Sequence, residues 1–130
     1  MSEKQPLYRL RVQSQFSSSH QLRHYQGKCE ELHGHNFAVE AEVKGSELHP
    51  ETHILIDFKE LKSKLNAILE TLDHRHLNDL PQFEVQNPSS ENLARYIFEQ
   101  LKGALLNSGV DLCFVSVAEK ESSRATYSET

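Results

Sequence analysis

The sequence predicts an α+β fold with its elements in the order β-β-α-α-β-β: a four-stranded antiparallel sheet carrying two helices on one face. Three observations predict it. First, Tyr8, Leu10 and Val12 alternate with Arg9, Arg11 and Gln13, and Phe37, Val39, Ala41 and Val43 alternate with Ala38, Glu40, Glu42 and Lys44. That is the period of half-buried strands. Second, two later segments space their apolar residues three and four apart, as amphipathic helices do. Third, an apolar stretch with the strand period follows the helices, so strands stand at both ends of the chain.

The elements follow in order. The first strand begins at Tyr8, and Phe16 extends it past Ser14; residues 17–32 show no period and read as a polar loop. The second strand ends at Gly45-Ser46. A long hairpin is the simplest link between the two, which makes them antiparallel. Residues 53–56 fit a short extended piece. Asp57 then starts a helix, with Glu60 three residues on as in a capping box. Its stripe is Phe58, Leu61, Leu65, Ile68 and Leu69, then Leu72.

Pro81 and Pro88 punctuate the next connection, and Ser89 or Ser90 caps the second helix. Leu93, Ile97, Leu101 and Leu105 line it beside Phe98, and Asn107-Ser108-Gly109 closes it with a glycine suited to a left-handed turn. The third strand covers residues 110–119. Both its faces are largely apolar, so it is expected at the centre of the sheet, covered on both sides, with Cys113 in the core. A short fourth strand is expected around residues 124–128.

Composition bounds the function. With 130 residues, 37% hydrophobic and 25% charged, the chain is expected to form one domain over residues 1–130. No run approaches the ~20 apolar residues of a membrane helix. The first 13 residues lack a signal-peptide core, so the expected compartment is the cytoplasm. The net charge is −5 with no block of Lys or Arg, which argues against nucleic acid as the partner. Two cysteines, Cys29 and Cys113, are too few for a disulfide scaffold. The eight histidines fall into close pairs, and that clustering needs a chemical reason.

His33-Gly34-His35 adjoins the second strand, where residues i and i+2 share a face with Cα atoms about 6–7 Å apart. Gly34 would permit close approach. His20, after the neighbouring strand, supplies a third imidazole. Three histidines with a fourth position open make a catalytic zinc pattern, whereas a structural site is closed by four protein ligands. The plainer alternative is a polar turn.

Cys29, beside Lys28 and four residues before His33, suits a thiolate base; it could equally be an inert thiol or a fourth ligand that closes the site. Asp73-His74 could pair for proton transfer, or could simply decorate the end of a helix, and spacing favours the latter. Glu119 on an apolar strand face needs a partner, such as the paired N–H groups of a guanine-like ring, unless it is a solvated strand end.

The ordered set of motifs resembles the 6-pyruvoyltetrahydropterin synthase family, most closely its bacterial 6-carboxytetrahydropterin synthase branch. The residues that carry the resemblance are Phe16-x-x-x-His20, Cys29-x-x-x-His33-Gly34-His35-Asn36-Phe37, Ile56-Asp57-Phe58-x-x-Leu61-Lys62, Leu72-Asp73-His74-x-x-Leu77-Asn78-Asp79, Asn87-Pro88-Ser89-Ser90-Glu91-Asn92 and Val115-x-Val117-x-Glu119. They span about residues 7–120.

The resemblance implies a tunnelling fold in trimers and typically hexamers, with zinc on His20, His33 and His35. Cys29 would be the general base, with Asp73 and His74 as partners in proton transfer. Glu119 would anchor the pterin ring, helped by Ser89 and Ser90. The implied substrate is 7,8-dihydroneopterin triphosphate, and the implied product of the carboxy branch is 6-carboxytetrahydropterin, on the way to queuosine. Arg23, Lys28, Lys120 and Arg124 are candidates to bind triphosphate by position only.

Family members with a glutamate three residues before His-Gly-His make 6-hydroxymethyl-dihydropterin; here that position is Glu30, which points to a dual variant or to a solvated loop residue. Two readings from other classes remain, a zinc hydrolase using Glu30 or Glu31 and a pterin-binding module without turnover.

Overall fold

The computed structural model describes residues 4–27 and 30–130. Alternating side chains build four strands: β1 (Tyr8–His20), β2 (His33–Gly45), β3 (Asp111–Lys120) and β4 (Ser123–Tyr127), with α1 (Phe58–Glu70) and α2 (Ser90–Ala104) between β2 and β3. The sheet has the order β1-β2-β3-β4 with every neighbouring pair antiparallel, so β1 and β4 are its edges. Both helices pack on one face. This is the expected α+β order.

The core lies between that face and the helices. Phe16 and Phe37, paired across β1 and β2, stack with ring centroids 4.8 Å apart. Val39, Ala41, Val115 and Val117 continue the layer, and Leu61 and Leu65 of α1 and Leu93, Ile97 and Leu101 of α2 close over it, all fully buried. Asp57 caps α1 by accepting from the Lys59 N–H (2.8 Å), and Ser89 caps α2 by accepting from the Asn92 N–H (3.2 Å). Asn107 and Gly109 both adopt positive φ in the turn after α2.

Several expectations need correction. β1 does not stop at Phe16: residues 17–20 continue it, pairing Ser18 with His35 and His20 with His33. Ser18 and His20 turn inward and Ser17 and Ser19 outward, an alternation that three serines in a row conceal from a hydropathy pattern. His33-Gly34-His35 is the start of β2 and not a turn before it. Residues 53–56 form no strand. Phe58 leaves the apolar stripe; at the first helical position it stays 60% exposed beside Tyr8 and Ile54.

β3 is an interior strand, but among the described residues no element covers the sheet face opposite the helices. Long polar side chains cover it: Arg11 lies 5.1 Å from the Phe114 ring centroid and bonds Glu40 and Glu42, and Arg124 donates to Ser116 at 2.7 Å. A register shift between Glu42 and Val43 breaks the alternation of β3. Leu112 therefore pairs with the inward Val43 and Phe114 with the outward Glu42. Cys113 leaves the core and takes a contact from Arg9 at 3.6 Å, and burial raises its thiol pKa.

Candidate metal centre and active site

The apolar column on the inner face of β1 and β2 ends in three imidazoles. The β1–β2 register sets His20 opposite His33, with His35 two residues farther along β2 on the same face. Ring centroids of His20, His33 and His35 lie 4.7, 5.2 and 4.7 Å apart, each pair edge to face. Phe37 sits beneath them, its centroid 5.3 Å from His20 and 5.4 Å from His35. One potential ligand atom from each histidine lies within 4.8 Å of the others.

Hydrogen bonds behind two of the rings orient them. His20 Nδ1 meets the Pro88 carbonyl at 2.8 Å and His33 Nδ1 meets the Glu31 carbonyl at 2.8 Å. A carbonyl only accepts, so each of these two Nδ1 atoms carries a proton, and Nε2 is the ring atom left to face the cluster. His20 Nε2 and His35 Nε2 are buried without a hydrogen-bond partner. Orphaned buried acceptors are costly. Burial, the largest influence, lowers the pKa of His35, with His20 and His33 adding to it and Glu119 opposing. Three imidazoles aimed at a common point suit a cation, and three nitrogen donors suit zinc. The cluster could therefore hold a metal.

Glu119 closes one side of the cluster. Its carboxylate oxygens lie 3.5 Å from His20 Nε2 and 3.4 Å from His35 Nε2, and Ser90 Oγ donates to it at 3.4 Å. It also lines a cavity of about 270 Å³ with Leu22, Ser89, Ser90 and Arg124. The structure thus brings Glu119, Ser90 and the histidines together, and the solvated strand end is not what forms. Ser89 lines the same cavity, with its hydroxyl on the α2 cap.

Asp73 and His74 do pair, against the expectation from spacing. The Asp73 carboxylate accepts from the Ser17 N–H at 2.8 Å and lies 2.8 Å from His74 Nδ1. His74 has φ 54°, and this left-handed turn lets adjacent side chains face one another. The Ser17 hydrogen bond, aided by His74, holds the Asp73 carboxyl below its ordinary pKa against an opposing effect of burial. His74 and His35 line one cavity of about 630 Å³ at the end of the sheet.

Cys29 and Lys28 lie outside the described residues. Glu30 does not float in solvent: its carboxylate accepts from the Leu22 N–H at 3.2 Å and lies 3.6 Å from His33 Nδ1, behind that ring. Arg23 spends its guanidinium on the carbonyls of Gln86 and Asn78, and Arg124, which also lines the Glu119 cavity, donates to Ser116 on the outer face. Gly34 is not required by space, because an added Cβ would meet only the Ser18 carbonyl oxygen, at 3.6 Å. Sequence reasoning missed the supports. The carbonyls of Glu31 and Pro88 are invisible in a side-chain pattern, while Asn78 and Asn87 stood in recognised motifs without a role.

Known proteins resemble this chain in sequence and fold. The family model described as 6-pyruvoyl tetrahydropterin synthase matches residues 9–130. A 6-carboxy-5,6,7,8-tetrahydropterin synthase from Synechocystis is 38% identical over 117 residues, covering 86% of each chain. A 6-pyruvoyl tetrahydrobiopterin synthase from Dictyostelium discoideum is 32% identical over 124 residues, covering 86% of this chain and 89% of its own. The solved 6-pyruvoyl tetrahydropterin synthase of Caenorhabditis elegans superposes with a TM-score of 0.83 at 29% identity, covering 99% of this chain and 100% of that one. With the strand order and these matches in agreement, the chain belongs to the 6-pyruvoyl tetrahydropterin synthase family.

Proposed function

We propose that this protein is a zinc-dependent lyase that converts 7,8-dihydroneopterin triphosphate and one water to 6-carboxy-5,6,7,8-tetrahydropterin, triphosphate and acetaldehyde, as a step toward queuosine. The observation that carries the reading is the convergence of His20, His33 and His35 on one point, in a chain of this family. The name of the Synechocystis relative supports the carboxy product. The name of the Dictyostelium relative supports 6-pyruvoyltetrahydropterin as the second reading.

His20, His33 and His35 would hold the zinc, with Glu119 beside the open side. Bound there, zinc would polarise the substrate's side-chain hydroxyls and ease loss of the adjacent protons. Cys29 would take a proton as general base, and Asp73 would orient and charge-stabilise His74 for proton transfer. Glu119, with Ser90 donating to it, would accept paired N–H groups of the pterin ring in the cavity it shares with Ser89. We further propose that residues 1–130 form a single domain, that the chain assembles as a homohexamer of two trimers, and that it works in the cytoplasm.

The test is mass identification of the products after zinc-loaded protein meets 7,8-dihydroneopterin triphosphate, for the native chain, C29A and E30A. The expected result is 6-carboxytetrahydropterin with acetaldehyde, abolished in C29A. A 6-hydroxymethyl product lost in E30A would reveal the dual variant. Unaltered turnover in C29A would remove Cys29 as the base and favour a zinc hydrolase. Ligand-induced thermal stabilisation with no product would make the chain a pterin-binding module.

A further inference from the structure

We propose that Asn78 and Asn87 are positioning residues: they clamp the backbone of residues 21–23, and through it fix both the metal-facing His20 and Glu30. Past His20 the chain leaves the sheet. The Gln21 N–H donates to Asn78 Oδ1 at 2.9 Å, and Asn78 Nδ2 donates to the Gln21 carbonyl at 2.8 Å. Two residues on, the Arg23 N–H donates to Asn87 Oδ1 at 2.7 Å, and Asn87 Nδ2 donates to the Arg23 carbonyl at 2.9 Å. A primary amide carries one acceptor and a donor side by side, so each asparagine takes the place of a residue on a neighbouring strand. The backbone partners also fix which way each amide points, since an N–H can only donate and a carbonyl only accept.

Leu22, between them, faces the other way. Its N–H donates to Glu30 Oε1 at 3.2 Å, and the Glu30 N–H donates to the Leu22 carbonyl at 2.9 Å. Gln21 adds a side-chain bond to the Glu30 carbonyl at 3.1 Å. Residues 21 and 23 therefore bond to one side and residue 22 to the other, with two asparagine side chains standing where the backbone of a neighbouring strand would bond.

The clamp reaches the histidines at both ends. Pro88, next to Asn87, supplies the carbonyl that orients the His20 ring, and Asn92 Nδ2 ties the Asn87 carbonyl to the first turn of α2 at 2.8 Å. Glu30 stands behind His33. Groups behind a metal ligand typically change metal affinity by about 10–100-fold when lost.

The affinity readout rests on the zinc reading above; a second readout does not. N78D and N87D keep the acceptor and the shape but turn the donor into an acceptor facing a carbonyl. We expect each to weaken zinc binding about tenfold or more in competition with a chelator. We also expect each to lose hydrogen-exchange protection at the Leu22 and Glu30 amides while core amides such as Val117 keep theirs. N66A removes an asparagine that bonds Ser14 from α1, away from the histidines, and is expected to leave both readouts unchanged. Zinc affinity within about twofold of the native chain, with Glu30 still protected, would overturn the proposal. If the native chain takes up no zinc, the zinc reading fails and the exchange result alone decides this one.

Discussion

His20, His33 and His35 meet because residues opposite one another in an antiparallel pair share a face. Spacing within the sequence exposed His33 and His35 as neighbours, and the hairpin brought in His20. What stayed hidden was how tightly the rings are oriented, since that rests on the carbonyls of Pro88 and Glu31. Replacing any one histidine by alanine should lower zinc affinity by more than the roughly 10–100-fold typical of outer groups; equal uptake by H33A, measured against a chelator, would rule that histidine out as a ligand.

Asp73 makes a separate claim at the same scale. Its carboxyl pKa is depressed in the folded chain by the Ser17 N–H and His74. Such a group contributes stability in full above its unfolded pKa of about 3.9, and loses it as pH falls through the folded value. The difference in melting temperature between the native chain and D73A should therefore be open near neutrality and close as pH drops well below about 4. A difference that does not change with pH would show that the ionised carboxylate adds nothing.

At the scale of elements, the helices were the most legible part. The leucine stripes and the Ser89 cap place α2 between prolines and a positive-φ glycine, and the structure agrees. S89A should cost about 1 kcal/mol, read as a lower melting temperature; no change would mean that the Asn92 N–H finds another acceptor. The strands were legible only where hydrophobic and polar residues alternate. Ser17-Ser18-Ser19 alternates in burial but not in chemistry, so the end of β1, which delivers His20, could not be read. Cys113 went astray for another reason. A period-two argument assumes unbroken register, and the shift between Glu42 and Val43 moves Cys113 away from the core.

At the scale of the molecule, β1 and β4 are the edges of the sheet, with no further strand beside them among the described residues, and one face is coated by Arg11, Glu40, Glu42 and Arg124 in place of a second layer. Open edges invite pairing between copies. Light scattering in solution should give a mass near six times the 14.9 kDa chain; a monomer would contradict the proposed hexamer. None of the helices among the described residues is long and apolar enough to cross a membrane.

The proposed chemistry depends most on a metal held by three histidines with one position left open. Zinc K-edge absorption on the reconstituted protein tests that most directly. The expected result is one zinc per chain, with nitrogen and oxygen neighbours at about 2.0–2.2 Å and no sulfur. A sulfur neighbour at about 2.3 Å would contradict it, because Cys29 would then close the site and could not serve as the base.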